Sequence, residues 1–230
     1  MDKRWLALAL VCAACSSPDP PPEPYDAGII IGGCKLAYLG DASAEPIMDV
    51  IALGPEGEIQ TPTDGSDVSL IFPPQGGRVV FAGVRATNID PCAVRLAGSL
   101  RDPVSKQVRL DNRTINLEPT DDGYGRSAPT DLSAFANIPA CPNQWADDDL
   151  FDKPYELTVS LTDRDGKKIT KVMTVTPRCN EPGREAECLC MCAGEYVLGM
   201  QCDPTVDGGV DPDADAGADA SDPDASGGPP

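Results

Sequence analysis

The sequence contains no histidine in 230 residues. That absence excludes Ser-His-Asp and Cys-His nucleophile pairs, zinc sites with imidazole ligands and a histidine general base near neutral pH. Bases are scarce as well, with 18 Lys and Arg against 37 Asp and Glu for a net charge of −19. So acidic a chain cannot offset the phosphates of nucleic acid, which takes clustered Lys and Arg. No stretch after residue 15 is long or apolar enough to cross a bilayer, which needs about 20 apolar residues. No Gly-x-Ser-x-Gly elbow or phosphate-cradling loop occurs, and no long segment carries a helical period. What the chain does have is ten Cys, 24 Pro and 41% apolar residues, enough to bury a core in one large domain or two small ones.

The amino-terminal residues have the order of an export signal. Lys3 and Arg4 are followed by a short apolar run, Trp5 to Val11 with Ala13 and Ala14, that ends at Cys15. It is too short for a membrane span and has the layout of a secretory leader over residues 1–14. The junction Ala13-Ala14-Cys15-Ser16 resembles the lipobox of bacterial lipoproteins, in which small residues precede a cysteine that is lipidated and becomes the mature N-terminus. The resemblance implies a lipid anchor on Cys15 holding the protein to a membrane. Ser16 in the position after it implies sorting to the outer membrane, on its periplasmic or surface side. Acyl chains hold firmly because each buried methylene adds about 0.8 kcal/mol. The alternative is an ordinary cleaved signal with incidental cysteines.

Two segments cannot build a core. Residues 15–28 hold the anchor and a linker with five prolines and three acids, and such a linker reads as an extended spacer. Residues 203–230 hold eight Asp and no base in a drifting Asp-Ala-Gly-Pro pattern, which reads as a disordered tail. A calcium array is the other reading of those Asp, but the glycine-spaced period of such repeats is missing. The tail composition resembles that of surface lipoproteins of bacteria such as the myxobacteria. The tail carries −8, the linker −3 and the leader +1, leaving −9 on the rest.

Residues 29–178 read as all-β. Cys92 to Arg101 and Tyr155 to Thr162 alternate apolar and polar residues with a period of two, so each should bury one face. Asp163-Arg164-Asp165-Gly166 then predicts a turn into a β-branched return strand, Ile169 to Thr176. Further strands are expected at 35–39, 48–53, 68–72, 78–86, 107–110 and 114–117, with Arg109 and Arg113 solvated beside a turn. Leu132 to Ile138 could form a turn or two of helix. Seven to nine short strands read as a β-sandwich. The 153–177 hairpin, through Tyr155, Leu157, Val159, Leu161, Asp163, Asp165 and Gly166, resembles the last two strands of immunoglobulin-like domains of the polycystic-kidney-repeat and cadherin-like kind. That resemblance implies an immunoglobulin-like fold, a fold that hosts adhesion, ligand capture and spacing alike.

Eight cysteines remain after Cys12 and Cys15: Cys34, Cys92, Cys141, Cys179, Cys188, Cys190, Cys192 and Cys202. An even number in an exported chain predicts four disulfides, with 105 possible pairings. Five of them crowd into residues 179–202, so at least one should reach back and pin this Cys-rich appendage to the sandwich. A Cys92–Cys141 bond is one guess. From Cys188 through Gly199 to Cys202, the appendage loosely resembles the end of an epidermal-growth-factor-like module. Cys188, Cys190 and Cys192 as alternate thiolates would suit Zn or Cu(I), but zinc ligand pairs are usually spaced more widely and an oxidising compartment favours disulfides. Hence no metal and no cofactor is expected.

Acid pairs raise a catalytic alternative. Asp147, Asp148 and Asp149 form a run, and Asp163 and Asp165 flank a turn. Turn chemistry is the preferred reading, against calcium at the loop pole or glycosidase-type acid/base work. Asn112-Arg113-Thr114 has the form of a glycosylation sequon and is read as incidental. The reading preferred on all of this is a non-catalytic envelope lipoprotein that binds, adheres or scaffolds through an unknown protein or glycan ligand. A lipid-anchored hydrolase using paired aspartates is the other.

Overall fold

The computed structural model describes residues 33–142 and 148–202. The leader, Cys15, the linker, Asp147 and the Asp-rich tail lie outside the described residues. From Cys34 onward the chain forms one unit that includes the Cys-rich appendage.

Eleven strands and one helix make up the described fold: β1 (Ile47–Leu53), β2 (Ile59–Gln60), β3 (Ser66–Ser69), β4 (Arg78–Thr87), β5 (Val94–Arg101), β6 (Val108–Ile115), β7 (Glu118–Pro119), β8 (Gly125–Arg126), β9 (Ala136–Cys141), β10 (Tyr155–Thr162), β11 (Lys168–Arg178) and α1 (Glu185–Cys192). They form two sheets. The first runs β2-β1-β4-β8-β7, with β9 also paired to β4, and the second runs β3-β11-β10-β5-β6. All pairs are antiparallel except β3 with β11, which is parallel from Val175↔Ser66 to Arg178↔Ser69.

Alternation places the core. In β10 every second residue, Tyr155 to Leu161, is buried, and β5 buries Val94, Leu96, Gly98 and Leu100 in the same way. Apart from Gly98, these residues share one cluster with Met48 and Val50 of β1, Val80, Ala82 and Val84 of β4, and Ala136 and Ile138 of β9. The two sheets therefore bury their inner faces in a common core, the dominant favourable contribution to folding. Strand β4 is buried on both faces. Its outer residues Val79 and Phe81 join Ile51, Leu53, Ala134 and Phe135 in a second cluster. Gly83 is required there, because a Cβ at that position would lie 2.6 Å from the Phe135 ring and 2.8 Å from Ser127 Oγ. Ser127 fills the gap between β8 and β9 on the same edge, donating its N–H to Val84 O at 2.8 Å and accepting from Val84 N at 3.1 Å.

The expected turn joins β10 to β11, with Thr162 opposite Lys168 across residues 163–167. Asp163 builds it, its Oδ1 accepting from Asp165 N at 3.0 Å and Lys167 N at 2.8 Å. Gly166 sits at φ +87°, where other residues are strained.

Several expectations differ from what is found. The strands expected at 107–110 and 114–117 are one strand, β6, running through Asp111-Asn112-Arg113 without a turn. Asp111 explains this, since its Oδ2 accepts from Asn137 N at 2.7 Å and from Arg113 Nε at 2.6 Å, docking the edge strand onto β9. Arg109 is correspondingly buried rather than solvated. Residues 35–39 contribute only an isolated bridge, Leu39 to Ile89, and the helix near 132–138 is a single 3-10 turn, Leu132–Ala134. The segment likened to an epidermal-growth-factor-like ending begins inside helix α1, with Cys188 to Cys192 helical.

Candidate functional site

The acids come first, as the groups the sequence put forward for catalysis in a chain without histidine. Asp163 is buried, and its Oδ2 lies 3.5 Å from Asp90 N. Asp90 is also buried, accepts from Cys92 N at 2.9 Å and is ion-paired with Arg164. The two aspartates thus lock the β4–β5 connection to the β10–β11 turn, and their oxygens are taken up by backbone amides and a guanidinium. Beside them Lys167 Nζ holds Ala42 O at 2.6 Å and Tyr38 OH at 3.0 Å, and Tyr38 OH donates to Asn88 O at 2.8 Å. The Tyr38 hydroxyl first, and then the charges of Asp163 and Glu45, hold the Lys167 ammonium above its ordinary value. Asp165 is exposed. In the other acidic run, Asp148 pairs with Lys153 at 3.3 Å, and Asp149 Oδ1 accepts from Gly194 N at 3.0 Å.

One shallow recess, about 310 Å³, lies on the outer face of the second sheet between Pro103, Pro154 and Val172. Asp64 and Glu156 border it. Asp64 Oδ1 accepts from Thr174 N at 2.7 Å, and Glu156 faces Arg101 at 3.7 Å. Neither Asp148, Asp149, Asp163 nor Asp165 lines it.

The cysteines converge most. Four disulfides form: Cys34–Cys92, Cys141–Cys192, Cys179–Cys188 and Cys190–Cys202. Cys92 and Cys141 do not pair with each other. Cys192 is the cysteine of the crowded group that reaches back, bonding the end of α1 to the end of β9. Among the described residues, the one group of possible metal ligands that comes together is Cys179, Cys188 and Cys192, with sulfurs within 4.8 Å of one another. All three are already spent in disulfides, so the arrangement supplies two stacked crosslinks instead of thiolates.

A buried charge cluster beside these bonds carried no obvious sequence signal. Arg78 opens β4 opposite Cys141 and its side chain is fully buried. Its guanidinium pairs with Glu181, reaches Glu187 Oε2 at 3.0 Å and donates to Arg184 O at 3.0 Å. Glu181 also accepts from Phe72 N at 3.1 Å, and Arg184 stacks 3.7 Å from the Phe72 ring centre. Burial pushes the Arg78 guanidinium below its ordinary value, while Glu181 and Glu187 act against that. The one hint in the sequence is an arginine heading an otherwise apolar run, Val79 to Val84. Together, Cys141–Cys192 and Arg78 fix the Cys-rich appendage to the two-sheet body.

The chain matches no protein-family model, no curated protein and no solved structure.

Proposed function

We propose that the protein is a non-catalytic, lipid-anchored envelope lipoprotein of a bacterium, whose folded part is an immunoglobulin-like β-sandwich used for binding, adhesion or scaffolding. The observation that carries this reading is the cysteine arithmetic. All eight cysteines between residues 34 and 202 pair with one another, which leaves Cys12 and Cys15 of the amino-terminal stretch outside the four bonds. Four mutual disulfides belong to an exported protein. A cysteine left over after an apolar leader, preceded by two alanines, is the residue a lipobox would modify.

Strand order supports the immunoglobulin-like part. In the second sheet β5, β10 and β11 lie side by side with β3 parallel on the far edge, and in the first β4 pairs with β9. Such a chain order across two sheets resembles the arrangement of immunoglobulin-like domains. Binding is preferred over hydrolysis because, of the aspartates considered for catalysis, Asp163 and Asp149 accept from backbone amides, Asp148 pairs with Lys153 and Asp165 is exposed. The ligand is a surface or periplasmic protein or a glycan, and the location is the outer membrane.

Metabolic labelling with palmitate tests the anchor. Wild-type protein incorporates label and Cys15→Ala does not. Equal labelling of both would show that Cys15 is not the anchored residue.

A further inference from the structure

The appendage ends in a loop that exposes apolar side chains. Between Cys192 and Cys202 the chain reads Ala-Gly-Glu-Tyr-Val-Leu-Gly-Met-Gln. Val197 is 68% exposed, Leu198 69% and Met200 42%. The loop is held in shape rather than loose. The Cys190–Cys202 bond closes it, Met200 N donates to Val197 O at 2.9 Å, and Tyr196 OH donates to Met200 O at 3.3 Å. Gly199 at φ +96° allows the tight turn. Three large apolar side chains are thus presented together on a crosslinked turn, with a half-buried tyrosine at its base.

Two magnitudes choose the occupant. Three such side chains offer about 300 Å² of apolar surface, whereas a specific protein interface buries about 600 Å² or more on each partner. The knob is too small to hold a protein partner unaided. A bilayer makes no such demand on a protein already tethered to it, because the tether supplies a high effective concentration. The 18 residues between Cys15 and Cys34 can span up to roughly 60 Å. A domain of this size is about 40 Å across, so the tether does not prevent the loop from reaching the surface. An exposed aliphatic turn beside a tyrosine also suits the boundary between hydrocarbon and headgroups, where amphipathic rings are enriched.

We infer that the Val197–Met200 turn inserts into the outer edge of a lipid bilayer, and that it takes uncharged, zwitterionic lipid. This inference rests on the anchor at Cys15. The lipid preference follows from charge. No Lys or Arg occurs after Arg184, Glu195 lies in the loop, and eight Asp follow Cys202, so an anionic surface repels this end of the chain.

The test uses the full lipidated chain carrying Leu198→Trp, reconstituted in phosphatidylcholine/phosphatidylethanolamine vesicles with or without brominated acyl chains. Wild type, with Trp145, gives the background. Bromine quenches the emission of the introduced indole by at least twofold more than the background, and adding phosphatidylglycerol reduces the quenching. The same substitution on Cys15→Ala shows little quenching. Palmitate on the protein with no quenching above background overturns the insertion alone. Quenching that rises with phosphatidylglycerol overturns the lipid preference. Absence of palmitate from the wild type overturns the anchor and the insertion that depends on it.

Discussion

Replacing Arg78 by methionine is the most direct probe of how the appendage is held. The substitution keeps most of the side-chain volume and removes the guanidinium that pairs with Glu181 and Glu187. Both glutamates are largely sequestered, with side chains 16% and 13% exposed, and Glu187 keeps Arg184 at 3.1 Å while Glu181 loses its one arginine. Removing one partner of a buried ion pair costs about 3–5 kcal/mol, because the other charge is left without compensation. A domain with 5–15 kcal/mol in hand survives that loss with a much lower margin. With a urea m-value of about 2 kcal/mol per M, the unfolding midpoint of the oxidised protein should fall by roughly 2 M. Adding Glu181→Gln to Arg78→Met should recover more than half of the loss, since the stranded charge is then gone. A midpoint within about 0.5 M of wild type for Arg78→Met alone would refute the reasoning, because the cluster would then contribute no more than a surface salt bridge.

Three further outcomes follow. Loop-closure entropy ranks the disulfides: removing Cys141–Cys192, separated by 51 residues, should cost about 4 kcal/mol, and removing Cys190–Cys202, separated by 12, about 3 kcal/mol. Thermal unfolding of the paired Cys→Ala variants checks the order, and a larger loss from the shorter loop contradicts it. Gly83→Ala should cost about 1–3 kcal/mol by driving a methyl group into Phe135 and Ser127, measured by urea unfolding; a neutral result would mean that Phe135 yields freely. The Asp41 carboxyl is held below its ordinary range by hydrogen bonds from Ser43, and the Asp122 carboxyl by the Thr120 hydroxyl and the Arg85 guanidinium. A depressed carboxyl adds stability above its unfolded value near 4 and loses it as pH falls through the folded value. Unfolding free energy should accordingly drop below about pH 4, and a rise on acidification would contradict the assignment.

The strands that could be read from sequence are those with one buried face. β5 and β10 alternate strictly because their outer faces meet solvent, and the Asp-Gly turn marks where β10 gives way to β11. β6 was legible only in part, because Asp111-Asn112-Arg113 has turn composition and the contact that straightens it, Asp111 to Asn137, lies 26 residues away. The two-residue strands β2, β8 and β7 are set by their neighbours, β1, β4 and β8 respectively, and leave no pattern of their own. Helix α1 has eight residues and depends on Cys188, Cys192 and Arg78 for its place, so no amphipathic period announces it. Cysteine parity required one bond from the crowded group to the body, but which cysteine makes it depends on the fold that brings β9 to α1. The arginine cluster left only the hint of Arg78 ahead of an apolar run for the same reason, since Arg78 and Glu181 are 103 residues apart in the chain.

The central claim is an exported chain anchored through Cys15 with every other mature cysteine in a disulfide. Intact mass spectrometry of the protein extracted from envelope membranes in detergent tests it in one measurement, taken with iodoacetamide before and after reduction. The account predicts a chain that begins at an acylated Cys15, gains no carbamidomethyl group before reduction and gains eight after it, one for each cysteine from Cys34 to Cys202. A mature chain that begins elsewhere without lipid, or one that takes up carbamidomethyl groups while unreduced, would contradict it.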